Sequence, residues 1–235
     1  MNREYHHWYS ERARREMELL WFGHAGVPYL VFPTSMGRFF DFEDRGMVET
    51  LRTRIEAGQL QLVCVDSMDR ESWYNRRRRP PNRLKKHEAY EQYLLQEVLP
   101  LVRAKFPYPE LGVTGASFGG YHAVNFALRH PDLVTHCISL SGAFDISGFV
   151  AGYYGEDVYY HNPVDYLPNL HDDWYLSRLR RQHLVLGAGG DDVCLDDNRR
   201  LSGILGARGI GHWLDVWNGW THDWTLWRAM ALKYW

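Results

Sequence analysis

The sequence predicts an α/β fold: a mostly parallel central sheet flanked by helices. Three observations carry that expectation. Strand-length apolar runs alternate with helix-length amphipathic stretches along most of the chain. A serine bracketed by glycines, Gly115-Ala116-Ser117-Phe118-Gly119-Gly120, stands where one such run gives way to a helix. The length of 235 residues and a hydrophobic content of 45% suit one α/β domain with a sizeable core, spanning 1–235.

Residues 5–22 read as two antiparallel edge strands joined by a turn, and His24-Ala25-Gly26-Val27-Pro28 as a hairpin turn. Tyr29-Leu30-Val31-Phe32 is a continuous apolar run, as expected of a central strand buried on both faces. A loop, Pro33 to Arg38, precedes an amphipathic helix over 42–57, ended by Gly58, and Leu60 to Val65 is the next buried strand. This strand, loop, helix, strand order is a βαβ unit with a right-handed crossover. Asp66 to Pro81 is a polar loop containing four consecutive arginines, Arg76 to Arg79. The slightly negative overall charge favours a solvated loop there over an anion- or nucleic-acid-binding role. Lys85 to Lys105 reads as a long helix that Pro100 kinks or shortens. After the serine turn come a helix over 121–129, a strand over 133–140, and an irregular stretch, 146–172, rich in Gly, Tyr, Asn and Pro. Interrupting the sheet alternation, that stretch is expected to form a small cap-like insertion over the active-site face, with a packed surface loop as the alternative. A strand at 182–186, a helix at 195–207, a strand at 212–217 and a helix at 225–234 complete the pattern.

The serine turn has a mechanical logic. A G-x-S-x-G elbow between strand and helix holds its serine in a strained conformation that lifts the hydroxyl clear of the sheet. Strand and helix then approach so closely that Gly115 and Gly119 are the residues that fit. The Phe118 amide falls at the helix start, where it can face a developing oxyanion. Ligands in open α/β sheets gather at the carboxyl ends of the strands, and two further groups are expected there: an acid at Asp192 or Asp191, and His222. The order Ser, Asp, His is the α/β-hydrolase order. Ser117 would be the nucleophile, His222 the base that takes its proton, and the aspartate the group that fixes the imidazole. Asp192 is preferred, with Asp191 the alternative acid. A second oxyanion amide is expected from Thr34-Ser35-Met36, with Ser35 the choice. Other histidines (His122, His130, His161, His212) are expected to be structural, His161 being the best rival because it lies in the cap stretch. Asp196 and Asp197 suit a helix start, and Asp223 is expected to point away from His222.

These residues resemble the esterase family of α/β-hydrolases that includes esterase D (S-formylglutathione hydrolase), feruloyl esterases, enterochelin esterase and the mycolyltransferases. The likeness rests on Gly-Ala-Ser117-Phe-Gly-Gly, the Gly-Gly-Asp191-Asp192 loop, and Thr-His222-Asp-Trp before a Trp-rich final helix. It implies the α/β-hydrolase fold and a serine hydrolase that cleaves carboxylic esters, or thioesters, through an acyl-enzyme, with no metal and no cofactor. The loop at Pro33 to Gly37 differs from that of S-formylglutathione hydrolases, which counts against glutathione thioesters. Acyl transfer to an alcohol, or a binding role without catalysis, are the alternatives.

Bulk properties narrow the partners. A net charge of -2 and a pI near 6.6 give no pull toward nucleic acid or an anionic membrane. No apolar run is long enough to span a bilayer, and the polar N-terminus lacks the apolar core of a secretory signal. Cys64, Cys137 and Cys194 are too few and scattered for a disulfide framework or a zinc site. A cytoplasmic enzyme acting on a small-molecule ester is the expectation. Fifteen percent aromatic residues, including ten tryptophans, are expected mostly to pack core or surface, with some free to line a pocket, and the aromatic-rich cap stretch suggests that this pocket is apolar or aromatic.

Overall fold

A computed structural model describes all residues, 1–235. Eight strands form one sheet: β1 (Arg3–Ser10), β2 (Arg15–Phe22), β3 (Val27–Phe32), β4 (Leu60–Val65), β5 (Gly112–Ala116), β6 (His136–Leu140), β7 (His183–Gly189) and β8 (Trp213–Trp217). Their spatial order is β1-β2-β4-β3-β5-β6-β7-β8. β1 and β2 pair antiparallel, as does β2 with β4, and every later pairing is parallel. The turn at 24–28 is therefore no hairpin. β4 lies between β2 and β3, pairing Phe22 with Leu62 on one side and Tyr29 with Leu62 on the other. Local turn chemistry marks a reversal but does not choose which strand becomes the neighbour.

Helices cover both faces. α1 (Asp41–Asp44), α2 (Met47–Thr50) and α3 (Arg52–Glu56) replace the continuous helix expected over 42–57. Gly46, at φ 76°, adopts the left-handed conformation and breaks the first turn from the second. α4 (Pro80–Tyr93) starts five residues before the expected Lys85, with proline at its first turn where no amide donor is missed. It runs through a π-helical turn, Leu94–Val98, into α5 (Leu99–Lys105). Pro100 has no N–H to offer the preceding turn, and the wider π-turn lets the helix continue past it. α6 (Phe118–Arg129) follows the serine. The stretch 146–172 forms short 3₁₀ turns, Ser147–Phe149 and Leu167–Asn169, with α7 (Glu156–Tyr159) and α8 (Pro163–Tyr166). α9 (Asp173–Leu179), α10 (Leu195–Ala207) and α11 (Trp224–Tyr234) complete the set.

β3 and β4 are apolar but for Gln61, yet their side chains alternate in what they touch. Leu30, Phe32, Val63 and Val65 join the larger core, with Tyr93 and Val98 of the long helix and Val124 of α6. Tyr29, Val31, Leu62 and Cys64 face the opposite layer, where Phe42, Ile55, Trp227 and Met230 close the sheet. No helix is long and apolar enough to cross a membrane. The chain passes from β3 outward to β4 and later returns to β5 on β3's other flank. That reversal opens a crevice at the carboxyl ends of β3 and β5, which is where Ser117 sits.

Candidate active site

Ser117 joins β5 to α6 at φ 56° and ψ −123°. This non-glycine outlier costs on the order of 1–3 kcal/mol, so the surroundings must enforce it. They do so by close approach. A Cβ on Gly115 would lie 2.3 Å from the Gly119 carbonyl oxygen, and one on Gly119 would lie 2.4 Å from that of Phe32. The helix is thus pressed against both β5 and β3.

Ser117 Oγ lies 2.9 Å from Nε2 of His222, and His222 Nδ1 lies 2.8 Å from Oδ1 of Asp192. The three come from loops after β5, β8 and β7. The β8 loop reaches the β7 loop because Gly189 has no side chain: a Cβ there would sit 2.1 Å from the Trp220 carbonyl oxygen. Asp191 donates its amide to that same carbonyl and is exposed, so the alternative acid does not reach His222. The side chain of Asp192 is wholly buried. Burial alone would raise its carboxyl; His222, the Ser141 side chain and the Cys194 amide outweigh it and hold it below the ordinary aspartate range. Trp227 stands edge-on to the imidazole, ring centroids 5.0 Å apart, and anchors its own Nε1 on Ser141 Oγ at 2.9 Å.

The loop after β3 is held at three points. Asp41 accepts from the amide and hydroxyl of Thr34, Asp69 accepts from the Met36 amide at 3.1 Å, and Tyr74 donates to Ser35 Oγ at 2.7 Å. The Gly37 amide bonds Thr34's carbonyl. Between Thr34 and Gly37, Ser35 is the residue whose N–H has no acceptor, and the Phe118 amide has none either.

The other acids and histidines have structural partners. Asp223 caps α11, accepting from Thr225 and Leu226 amides; Asp197 accepts from the Phe144 amide; Asp196 pairs with Arg199. His130 pairs with Glu91, and His212 bonds Ser202 and the Ile210 carbonyl. His161 is buried against Asn125 and does not approach Ser117, so the rival base is a core residue. His122 Nε2 is 2.9 Å from Asp69 Oδ1, so Asp69 ties α6 to the loop after β3. Asp69 and Tyr74 were not legible in the sequence, since nothing in a polar loop shows which distant loop it will hold.

Asp192, Cys194 and His222 could together offer donor atoms to a metal, all within 4.8 Å of one another. Two of the three already bond each other, and burial, then Asp192 and Asp197, push the Cys194 thiol up to about 12, so it is protonated. Residues 146–153 pack beside the serine: Phe149 lies 5.1 Å from Phe118 and 4.9 Å from Tyr74, ring centre to ring centre. The aromatic cavity expected from composition exists, about 650 Å³ and lined by Tyr159, Tyr160, Tyr166, Trp174 and Tyr175. It lies elsewhere, at Leu128 to His130. That is the opposite end of α6, a helix about 18 Å long, from Ser117.

Comparison with known proteins adds the family. Residues 40–232 match the profile of the family described as "Putative esterase". The chain belongs to this family. Its chemistry is carboxylic ester hydrolysis. A search of functionally curated sequences finds no match. Among solved structures, a ferulic acid esterase superposes with a TM-score of 0.79 at 18% identity, over 99% of this chain and 96% of that one. S-formylglutathione hydrolases are also similar. The Agrobacterium tumefaciens protein gives 0.76 at 16% identity, over 99% and 93% of the two chains. The Staphylococcus aureus protein gives 0.73 at 16%, over 99% and 94%. These likenesses show that the esterase has the α/β-hydrolase fold.

Proposed function

We propose that this esterase works through an acyl-enzyme on Ser117, with His222 as general base and Asp192 as its orienting acid. The observation that carries the reading is the unbroken row Ser117 Oγ, His222 Nε2, His222 Nδ1, Asp192 Oδ1, mounted on a strained elbow. Ser117 Oγ attacks the ester carbonyl carbon as its proton passes to Nε2. The charge on the carbonyl oxygen is met by the amides of Phe118 and Ser35, which have no other acceptor. Asp192 stabilises the imidazolium and keeps its tautomer. Nε2 then returns the proton to the departing alkoxide; water next attacks the acyl carbon as Nε2 takes its proton, and that proton passes to Ser117 Oγ as the acid departs. Thioesters fall within the same chemistry, since only the leaving atom changes. Of the 146–172 segment, the part around Phe149 is proposed as the cap, because Phe149 closes the space beside Phe118 and Tyr74, while Tyr159, Tyr160 and Tyr166 line the cavity at the far end of α6.

The test is hydrolysis of p-nitrophenyl esters of graded acyl length by wild type, Ser117→Ala and His222→Ala. Both variants should lose several orders of magnitude in kcat. Wild-type turnover in Ser117→Ala would sink the assignment.

A further inference from the structure

The stretch Arg70 to Arg79 carries five arginines against one glutamate, in a chain whose net charge is -2. Elsewhere about half of the arginines pair with a carboxylate, as Arg3 with Glu43, Arg38 with Asp66 and Glu18, Arg52 with Glu49 and Glu56, and Arg129 with Glu91, and the unpaired ones are scattered singly or in twos rather than run together. Glu71 is taken by Arg15 and Lys86. Arg70, Arg76, Arg77, Arg78 and Arg79 are exposed, and no carboxylate pairs with any of them. The helix they lead into, α4, has Arg79 at its N-cap and no acidic residue in its first turn.

A sixth guanidinium makes the cluster more than a solvated face. Arg83, on the first turns of α4, is only 5% exposed and has no carboxylate partner. Its Nη1 donates to the carbonyls of Trp73 and Phe149, while Nε is buried without an acceptor. Burial first, and Arg76 second, push its pKa down, so the two cations feel each other. A buried charge without a counter-ion is costly, and the chain supplies none.

This cluster is fastened to the candidate oxyanion loop. Asp69, next to Arg70, holds the Met36 amide, and Tyr74, two residues before Arg76, holds Ser35. Two residues span at most about 7 Å of chain. Tyr74 also stacks edge-on against Phe118, centroids 5.3 Å apart, and Phe149 bridges Tyr74 to the carbonyl that Arg83 grips. Arg70 shares a small cavity with Met36 and Gly37.

We propose that Arg70, Arg76 to Arg79 and Arg83 select esters whose non-reacting part is anionic, carrying a carboxylate, sulfonate, sulfate or phosphate. The exposed guanidiniums draw the substrate in and its anion supplies the counter-charge that the cluster lacks. This rests on the esterase reading above, and the experiment separates the two. Esters of similar size and leaving group but different charge are compared: p-nitrophenyl glutarate against its methyl ester for an anionic acyl group, and 4-acetoxybenzenesulfonate against 4-acetoxybenzenesulfonamide for an anionic alcohol. In at least one pair the anionic member should have kcat/KM higher by about tenfold at low salt, an advantage that fades toward about 0.5 M salt. The fourfold variant Arg76→Gln, Arg77→Gln, Arg78→Gln, Arg79→Gln should keep neutral-ester turnover within about twofold and lose the preference, since exposed charges act chiefly by steering. Arg77→Glu with Arg78→Glu should reverse it. Neutral-ester turnover in each variant shows that it has folded. No anionic preference in either pair, or a preference that survives the fourfold change, overturns the inference while leaving the esterase intact. Absence of any ester turnover by wild type would sink the esterase reading and this one with it.

Discussion

Asp69 is the residue on which the site's geometry turns without touching substrate. One carboxylate oxygen holds the Met36 amide and the other His122 on the nucleophile's own helix, so the two proposed oxyanion donors are fixed relative to each other. Asp69→Asn keeps the size but loses one acceptor, freeing either the loop or the helix. Misplacing a donor by about an ångström should lower kcat by roughly ten- to a hundredfold. KM should move little, since the amides act on charge that develops in the transition state. A kcat unchanged from wild type, or KM rising in step with a fall in kcat/KM, would assign Asp69 to stability alone. The sequence offered Ser117, Asp192 and His222 because their motifs are local: a turn needing glycines, an acid after a strand, a histidine before a helix. Asp69 has no such signature. Its meaning arises only when the loop after β4 meets the loop after β3.

At the scale of elements, α4 begins in an electrostatically unfavourable way. Its N-cap is Arg79, whose side chain caps nothing, and cations crowd the end of the helix dipole that prefers anions. Arg79→Asp should supply a capping acceptor and a favourable charge, adding ~1 kcal/mol, which is about 2–4 °C in Tm for a chain of this size. Thermal unfolding followed by circular dichroism reads this directly, and a lower Tm would contradict it. A gain in stability there, with loss of the anionic-ester preference, is what a helix start compromised for binding would give. The edge strands, the central strands and the helix over 195–207 followed from apolar runs and their breakers. The interrupted helix over 42–56 did not. Its apolar spacing is helical throughout, yet it is divided at Gly46, in the left-handed conformation, and again at Leu51, whose φ of -94° and ψ of 2° leave the helical region.

Across the whole molecule, a buried ionisable cluster binds α4, α6 and the 146–172 segment. His87 and His161 meet edge to face, centroids 4.6 Å apart, and Glu91 receives Arg129 and His130. Burial keeps His87 well below the ordinary histidine range and His161 down to about 3. Burial would raise Glu91, but His130 and Arg129 prevail and bring it down to about 2. Both shifts make the folded state bind fewer protons than the unfolded chain. Stability should therefore be complete above pH 6.5, the ordinary histidine value, and fall as pH drops toward about 3. Glu91 should add a further loss between its ordinary 4.5 and about 2. His161→Gln should flatten the first interval and Glu91→Gln the second, measured as denaturant midpoints against pH. Parallel curves for wild type and both variants would refute the linkage.

The fold class, the succession of strands and helices, the elbow, Ser117, His222 and an acid at Asp191 or Asp192 were legible in the chain read linearly. Each depends on short-range rules: side-chain period, glycine at a close approach, residue type beside a strand end. The tertiary structure alone decided that β4 separates β2 from β3, that Asp192 rather than Asp191 faces His222, and that the large aromatic cavity lies at the far end of α6. It also decided that Tyr74, two residues before the arginine run, bonds Ser35, and that Arg83 is buried with no carboxylate partner. These outcomes depend on which distant segments meet. One sequence carries the composition of each partner, but the pairing is set by how the whole chain buries its apolar surface on both faces of the sheet.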